Sequence, residues 1–273
     1  MRQALKDTVY ISGCSHSHHW YLNQDLKNSW TTQLGFNTVY NHSICGSSND
    51  FIARRAWMFC ETYKPELAIV QWTNLTRTES IGPSAETDQV EGWVQRLATE
   101  VDNTSDVDVN FLICDNDFKK QDSSFYWSTF YGPWNNDNNS KAFVQTYDFQ
   151  TAFCNLIKNA FLLQSYFKSI EQPYLFVNGT DWFHASDMDP DHIEEYGAWH
   201  ALDFLNVIPE HFALNTVKPL ADQIDKTRWP DVNITRDIVD IGDDNSHGGL
   251  QTNKNFAKQI KAELEKLNAG NRK

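Results

Sequence analysis

Three short apolar runs punctuate the first 72 residues, and their spacing limits how this chain can fold. Thr8-Val9-Tyr10-Ile11-Ser12 is β-branched and aromatic and ends in Gly13. Thr38-Val39-Tyr40 through Ile44 is a second run, closed by Cys45-Gly46, and Leu67-Ala68-Ile69-Val70-Gln71-Trp72 is a third. Runs of this length and composition read as strands. Between the first two, Ser29-Trp30-Thr31-Thr32-Gln33-Leu34-Gly35 predicts a short helix stopped by its glycine. Between the second and third, Ser48 or Asn49 can cap a helix running to about Tyr63. Phe51, Ile52, Ala56, Met58, Phe59 and Cys60 supply its apolar positions, and Pro65 follows its end. Strand, helix, strand, helix, strand in such short succession implies a parallel sheet in an α/β protein.

The pattern then loosens. Residues 75–145 are polar and irregular, apart from one apolar run at Val109-Asn110-Phe111-Leu112-Ile113-Cys114. A structureless connection this long is unusual inside a compact domain, so about 75–147 reads as an insertion or cap over the sheet edge. Phe125, Tyr126, Trp127, Phe130, Tyr131 and Trp134 lie in its middle. They can form a satellite core, or a platform for sugar rings or an apolar acyl wall. Helical spacing returns from Phe149 to Ile170 and stops before Pro173, and Tyr174-Leu175-Phe176-Val177 is a fourth strand. Residues 180–235 form a second variable region, and Leu250 to Leu267 reads as an amphipathic helix. With no repeat and no dividing linker, residues 1–273 read as one domain.

Composition excludes several classes of partner. A formal charge of −13 over 273 residues argues against nucleic acid, which favours basic surfaces. The amino-terminal residues lack the apolar core of a signal peptide, and no apolar stretch approaches the roughly 18–20 residues of a membrane span. No membrane partner is expected, and the chain reads as cytoplasmic when synthesised. Five cysteines without CxxC spacing give neither a disulfide framework nor a zinc knuckle. His16, His18 and His19 crowd one loop, but no carboxylate or second histidine pair at diagnostic spacing completes a metal site. Asp187-Met188-Asp189-Pro190-Asp191 mimics a calcium loop, yet His192 and Ala198 stand where Gly and Glu belong. No metal or cofactor is expected.

The chemistry lies in four polar sites. Gly13-Cys14-Ser15-His16, Gly46-Ser47-Ser48-Asn49 and Trp72-Thr73-Asn74 each sit at or just beyond a strand end, and Asp244-Asn245-Ser246-His247 precedes the last helix. Strand ends of an open α/β sheet share one crevice, where ligands bind. Ester hydrolysis needs a nucleophile, a base and oxyanion donors. Ser15 is the candidate nucleophile, His247 the base, and Asp244 the group that orients it, with Asp243 as the other choice. The backbone amides of Ser15 and Gly46 and the side chain of Asn74 are the candidate oxyanion donors. His16, Arg77, Trp127 and Trp134 are candidates for the substrate pocket. Ser15 as an ordinary helix cap, Asn74 as a turn residue and His247 as a solvated loop histidine are the competing readings.

In order and placement these blocks resemble the SGNH (GDSL-type) hydrolase superfamily, whose four blocks supply Ser, Gly, Asn and His in sequence. The matching positions are Ser15, Gly46, Asn74 and His247, the last in Asp-x-x-His. The resemblance implies a flavodoxin-like three-layer α/β/α sandwich with a parallel sheet and metal-independent ester hydrolysis through an acyl-enzyme. It covers about residues 8–80 and the last 35 or so. Gly-Cys-Ser-His followed by Gly-Ser-Ser-Asn-Asp also resembles SGNH-like proteins encoded by tailed bacteriophages, which implies a virion or homo-oligomer context. Three positions depart from the pattern: Cys14 stands where Asp is usual, Trp72 replaces the glycine of Gly-x-Asn, and Gly248 follows His247 where proline is common. The expected reaction is removal of an acetyl or other short acyl group from a carbohydrate. The alternative is a non-catalytic glycan-binding or structural module of the same fold.

Overall fold

Side-chain alternation along the strands decides the layers. On β1 (Gln3–Ser12), Val9 and Ile11 turn to one face and Tyr10 to the other. On β3 (Tyr63–Trp72), Leu67 and Ile69 oppose Ala68, Val70 and Trp72. Leu175 and Val177 likewise oppose Tyr174 and Phe176 on β7 (Tyr174–Asn178). All these residues are buried, so both faces of the sheet are covered. The structure, a computed structural model, describes residues 2–18, 28–75, 77–82, 110–112, 127–131, 149–179, 218–236, 238–244 and 247–270.

Helix α1 (Asn49–Thr62) and helix α2 (Phe149–Ser169) cover one face, inserting Ile52, Ala56, Phe59, Phe153, Ile157 and Phe167. Full burial of each large side chain contributes about 1.5–3 kcal/mol. A single short turn of helix, α3 (Lys218–Ala221), adds Ala221 to that core. The other face is covered by α4 (Leu250–Gly270) through Phe256, Ala257 and Ile260, together with Trp30 and Leu34. The result is the α/β/α sandwich expected from the sequence. No described helix is long and apolar enough to cross a membrane.

The five-stranded sheet runs β5-β2-β1-β3-β7, with β2 spanning Thr38–Asn41 and β5 spanning Asn110–Leu112. Every neighbouring pair is parallel. The chain leaves β1 for β2 on one side, then crosses back to β3 on the other. In open sheets of this kind such a reversal, beyond the carboxyl ends of β1 and β3, is the usual ligand position.

Several boundaries differ from those read in the sequence. Strand β2 ends at Asn41 rather than Ile44, because Asn41 Oδ1 accepts the Ser43 amide at 2.9 Å and turns the chain. Strand β3 starts at Tyr63, directly after α1, so Pro65 lies inside it. The β1–β3 ladder is irregular between Leu5 and Val9, next to the Leu5–Pro65 pair, where proline has no amide to give. The helix expected at 29–35 is a 3-10 turn at Thr32–Leu34, ended by Gly35 in the left-handed region. Asn110–Leu112, part of the expected insertion, is an outer strand of the main sheet beside β2. Strands β4 (Thr78–Gly82) and β6 (Trp127–Tyr131) pair antiparallel as a separate ribbon.

Candidate active site

Ser15 leaves the sheet on a tight turn. Cys14 is still extended, and Ser15–Ser17 form one 3-10 turn closed by Ser17 N–H to Cys14 O and His18 N–H to Ser15 O, both 3.0 Å. Ser15 is 5% exposed. The turn's outer carbonyls are tied as well: Trp30 Nε1 donates to His16 O at 3.0 Å and Asn41 Nδ2 to Ser17 O at 2.7 Å. Cys14 belongs to the core packed under α1 and α2, which gives the thiol a packing role.

The Gly46 loop lies beside this turn because Ile44 N–H reaches Gly13 O at 3.3 Å. Gly46 has φ of +80°, a left-handed conformation that costs a residue with a Cβ roughly 1–2 kcal/mol. Ser48 then caps α1, its side chain accepting the Phe51 amide at 3.1 Å. Asn49 does something the sequence reading missed. Its Oδ1 accepts Thr73 N–H at 2.8 Å, and its Nδ2 donates to Thr73 O at 3.0 Å. This two-bond clamp fixes the loop carrying Asn74 against the start of α1. Asn74 itself is fully buried. Trp72 packs on Phe176 and Trp229 within the core, so replacing glycine there places a ring under the sheet end rather than in the crevice.

His247 sits on a loop stitched to α4. Ile241 and Gly248 form an antiparallel bridge, with Gly242 N–H to His247 O at 2.7 Å and Gly249 N–H to Asp240 O at 2.9 Å. The Asp240 carboxylate caps α4, accepting the Gln251 amide at 2.8 Å and the Thr252 amide at 2.7 Å. Gly248 also has a steric reason: a Cβ there would lie 2.4 Å from Thr252 Cγ2. Of the two candidate aspartates, Asp244 is the partner. Its Oδ1 accepts the His247 amide at 3.0 Å, and its Oδ2 is hydrogen-bonded to His247 Nδ1. With Nδ1 holding its proton toward the carboxylate, Nε2 is left as the basic nitrogen.

Burial pushes the His247 imidazole below the ordinary histidine value. The Asp244 hydrogen bond and charge pull it upward, and the Arg77 charge lowers it further. Arg77 lies on the segment leaving Asn74, where its amide reaches Asn74 O at 3.4 Å. The ring centroid of His16 is 4.5 Å from that of His247. The structure thus brings His247, Asp244 and His16 together, with Ser15 next to His16 in the chain. Among the described residues Ser15 Oγ has no hydrogen bond, to His247 or to any other group. Trp127 lies in β6, and its side chain is outside the described set, as is Trp134 altogether.

Two buried residues hold the Ser15 turn and the His247 loop in register. Asn253 Nδ2 donates to Gly248 O at 2.9 Å and to Gly249 O at 3.0 Å, and its Oδ1 accepts Trp30 N–H at 3.1 Å. Trp30 in turn holds His16 O. Neither residue stood out in the sequence, since a lone Trp and a helical Asn carry no motif. Among solved structures, the chain is similar to one described as the crystal structure of TesA, at 12% identity and a TM-score of 0.43, over 95% of this chain and 99% of that one. No family model matches the sequence, and no curated protein does.

Proposed function

We propose that the protein is a serine-type ester hydrolase of SGNH type. The observation that carries this reading is the Asp244–His247 pair held against His16, the residue next to Ser15. Ser15 Oγ attacks the ester carbonyl while His247 Nε2 takes its proton, and Asp244 stabilises the imidazolium that forms. The oxyanion is met by the Ser15 and Gly46 amides and the Asn74 side chain. Collapse expels the alcohol, protonated by His247, and leaves Ser15 acylated. Water, deprotonated by the same histidine, then releases the acid. A histidine held below its ordinary pKa is neutral near pH 7, as a general base must be. Hydrogen bonds between nucleophile and base commonly tighten only when substrate arrives.

The substrate reading is a short acyl ester on a carbohydrate. It is supported by the family resemblance and the aromatic run at 125–134, part of which forms β6, paired with the β4 strand that follows Arg77. A fluorophosphonate probe should label Ser15, and Ser15→Ala should lose turnover of p-nitrophenyl acetate. Undiminished turnover in Ser15→Ala, or loss only in Cys14→Ala, would sink the assignment. Release of acetate from an acetylated oligosaccharide tests the carbohydrate reading, and its absence alongside p-nitrophenyl acetate turnover would redirect the substrate class.

A further inference from the structure

Gln71 is a polar side chain inside the otherwise apolar run Leu67–Trp72, and it is fully buried. It occupies the carboxyl end of β3, opposite Val177 of β7 and one residue beyond the Ser12–Val70 pair with β1. Two glycines on the flanking strand ends make room for it. A Cβ on Gly13 would lie 3.0 Å from Gln71 Cβ and Oε1, and one on Gly179 would lie 2.6 Å from Gln71 Cδ. In that slot Gln71 Oε1 accepts from Cys14 Sγ at 3.6 Å and from Ser17 Oγ. Those donors flank Ser15 on both sides. Gln71 Nε2, also buried, finds no acceptor among the described residues. A buried amide with one end unsatisfied is costly in a strand, where an apolar residue would pack without that cost.

We infer that Gln71 is a positioning residue: one neutral acceptor staples Cys14 and Ser17 and so fixes the turn that aims Ser15. This rests on Ser15 being the nucleophile. It also accounts for Cys14, whose thiol serves as a weak donor to the amide. A neutral acceptor does this without placing a buried negative charge under the nucleophile turn.

The test uses Gln71→Met, which keeps the volume but removes the amide, and Ser17→Ala, which removes one donor. In both, the amides of Ser17 and His18 should exchange with solvent at least tenfold faster, while those of Val9 and Ile11 keep their protection. Turnover of p-nitrophenyl acetate should fall about 10–100-fold in kcat with KM unchanged, the size expected for a misaimed nucleophile. Cys14→Ser keeps a donor and should retain turnover, whereas Cys14→Ala should lose part of it. Parent-like exchange in these variants overturns the inference, as does faster exchange with parent-like kcat. If Gln71→Met does not fold, Ser17→Ala and the Cys14 pair decide. Should the parent fail to label at Ser15, the hydrolase reading falls by itself, and the exchange measurement still decides whether Gln71 holds the turn.

Discussion

Asn253→Ala is the most informative substitution, because this one side chain joins the loop of the proposed base to the segment that holds His16. The alanine leaves two buried backbone groups without partners. Trp30 N–H loses its acceptor, and Gly248 O loses its donor, whereas Gly249 O keeps the Asn253 amide at 3.0 Å. Each orphaned group costs about 1–3 kcal/mol, and alanine returns roughly half a kcal/mol in helix propensity. A net loss of about 1.5–5.5 kcal/mol follows, a large share of the ~5–15 kcal/mol that holds a domain together. Urea unfolding followed by tryptophan fluorescence reads this directly, with Gln251→Ala as a control expected within about 0.5 kcal/mol. The Trp30 amide should also exchange faster than in the parent. A loss under about 1 kcal/mol, with Trp30 exchange unchanged, would refute the bridging role.

Other outcomes follow from the same geometry. Arg77→Gln removes a charge that lowers the His247 pKa, so the acid limb of a kcat/KM–pH profile should move to higher pH; an unmoved limb would show that Arg77 does not act on the base. His42 is held well below its ordinary value by burial and then by the Arg55 charge, and His247 is lowered too. The unfolded chain binds protons at these histidines first, so stability is intact above about pH 6.5 and declines as pH falls toward their folded values. Urea midpoints measured from pH 8 to pH 5 should drop, and His42→Phe should flatten that drop. Gly46→Ala forces a Cβ into φ of +80° and should cost roughly 1–2 kcal/mol in unfolding measurements. If the Gly46 amide serves the oxyanion, kcat should fall as well; parent-like kcat would remove it from that role.

Local sequence carried a good part of the fold. Strand-length β-branched runs, the Ser48 cap and the helical spacing of Phe149–Ile170 are properties of neighbouring residues, and each appears where its pattern lay. The unbroken apolar runs likewise determined that both sheet faces would be covered, because strands without a polar face have nowhere else to go. The pairing of His247 with Asp244 in preference to Asp243 was equally legible.

Tertiary structure alone decided how those blocks are held. Pro65 lies inside a strand, beside an irregular stretch of the ladder with β1, an arrangement that no window of sequence contains. Asn110–Leu112 joined the main sheet by pairing with a strand about 70 residues earlier. The Asn49–Thr73 clamp, the Trp30–Asn253 bridge and the Gln71 staple span 24, 223 and 54 residues of chain. Such contacts leave no periodicity, since a hydrogen bond between buried polar groups is selected by position in space. The proposed Ser15, His247 and Asp244 could be named from the chain itself, but the contacts around them exist only once the sheet has brought its carboxyl ends together.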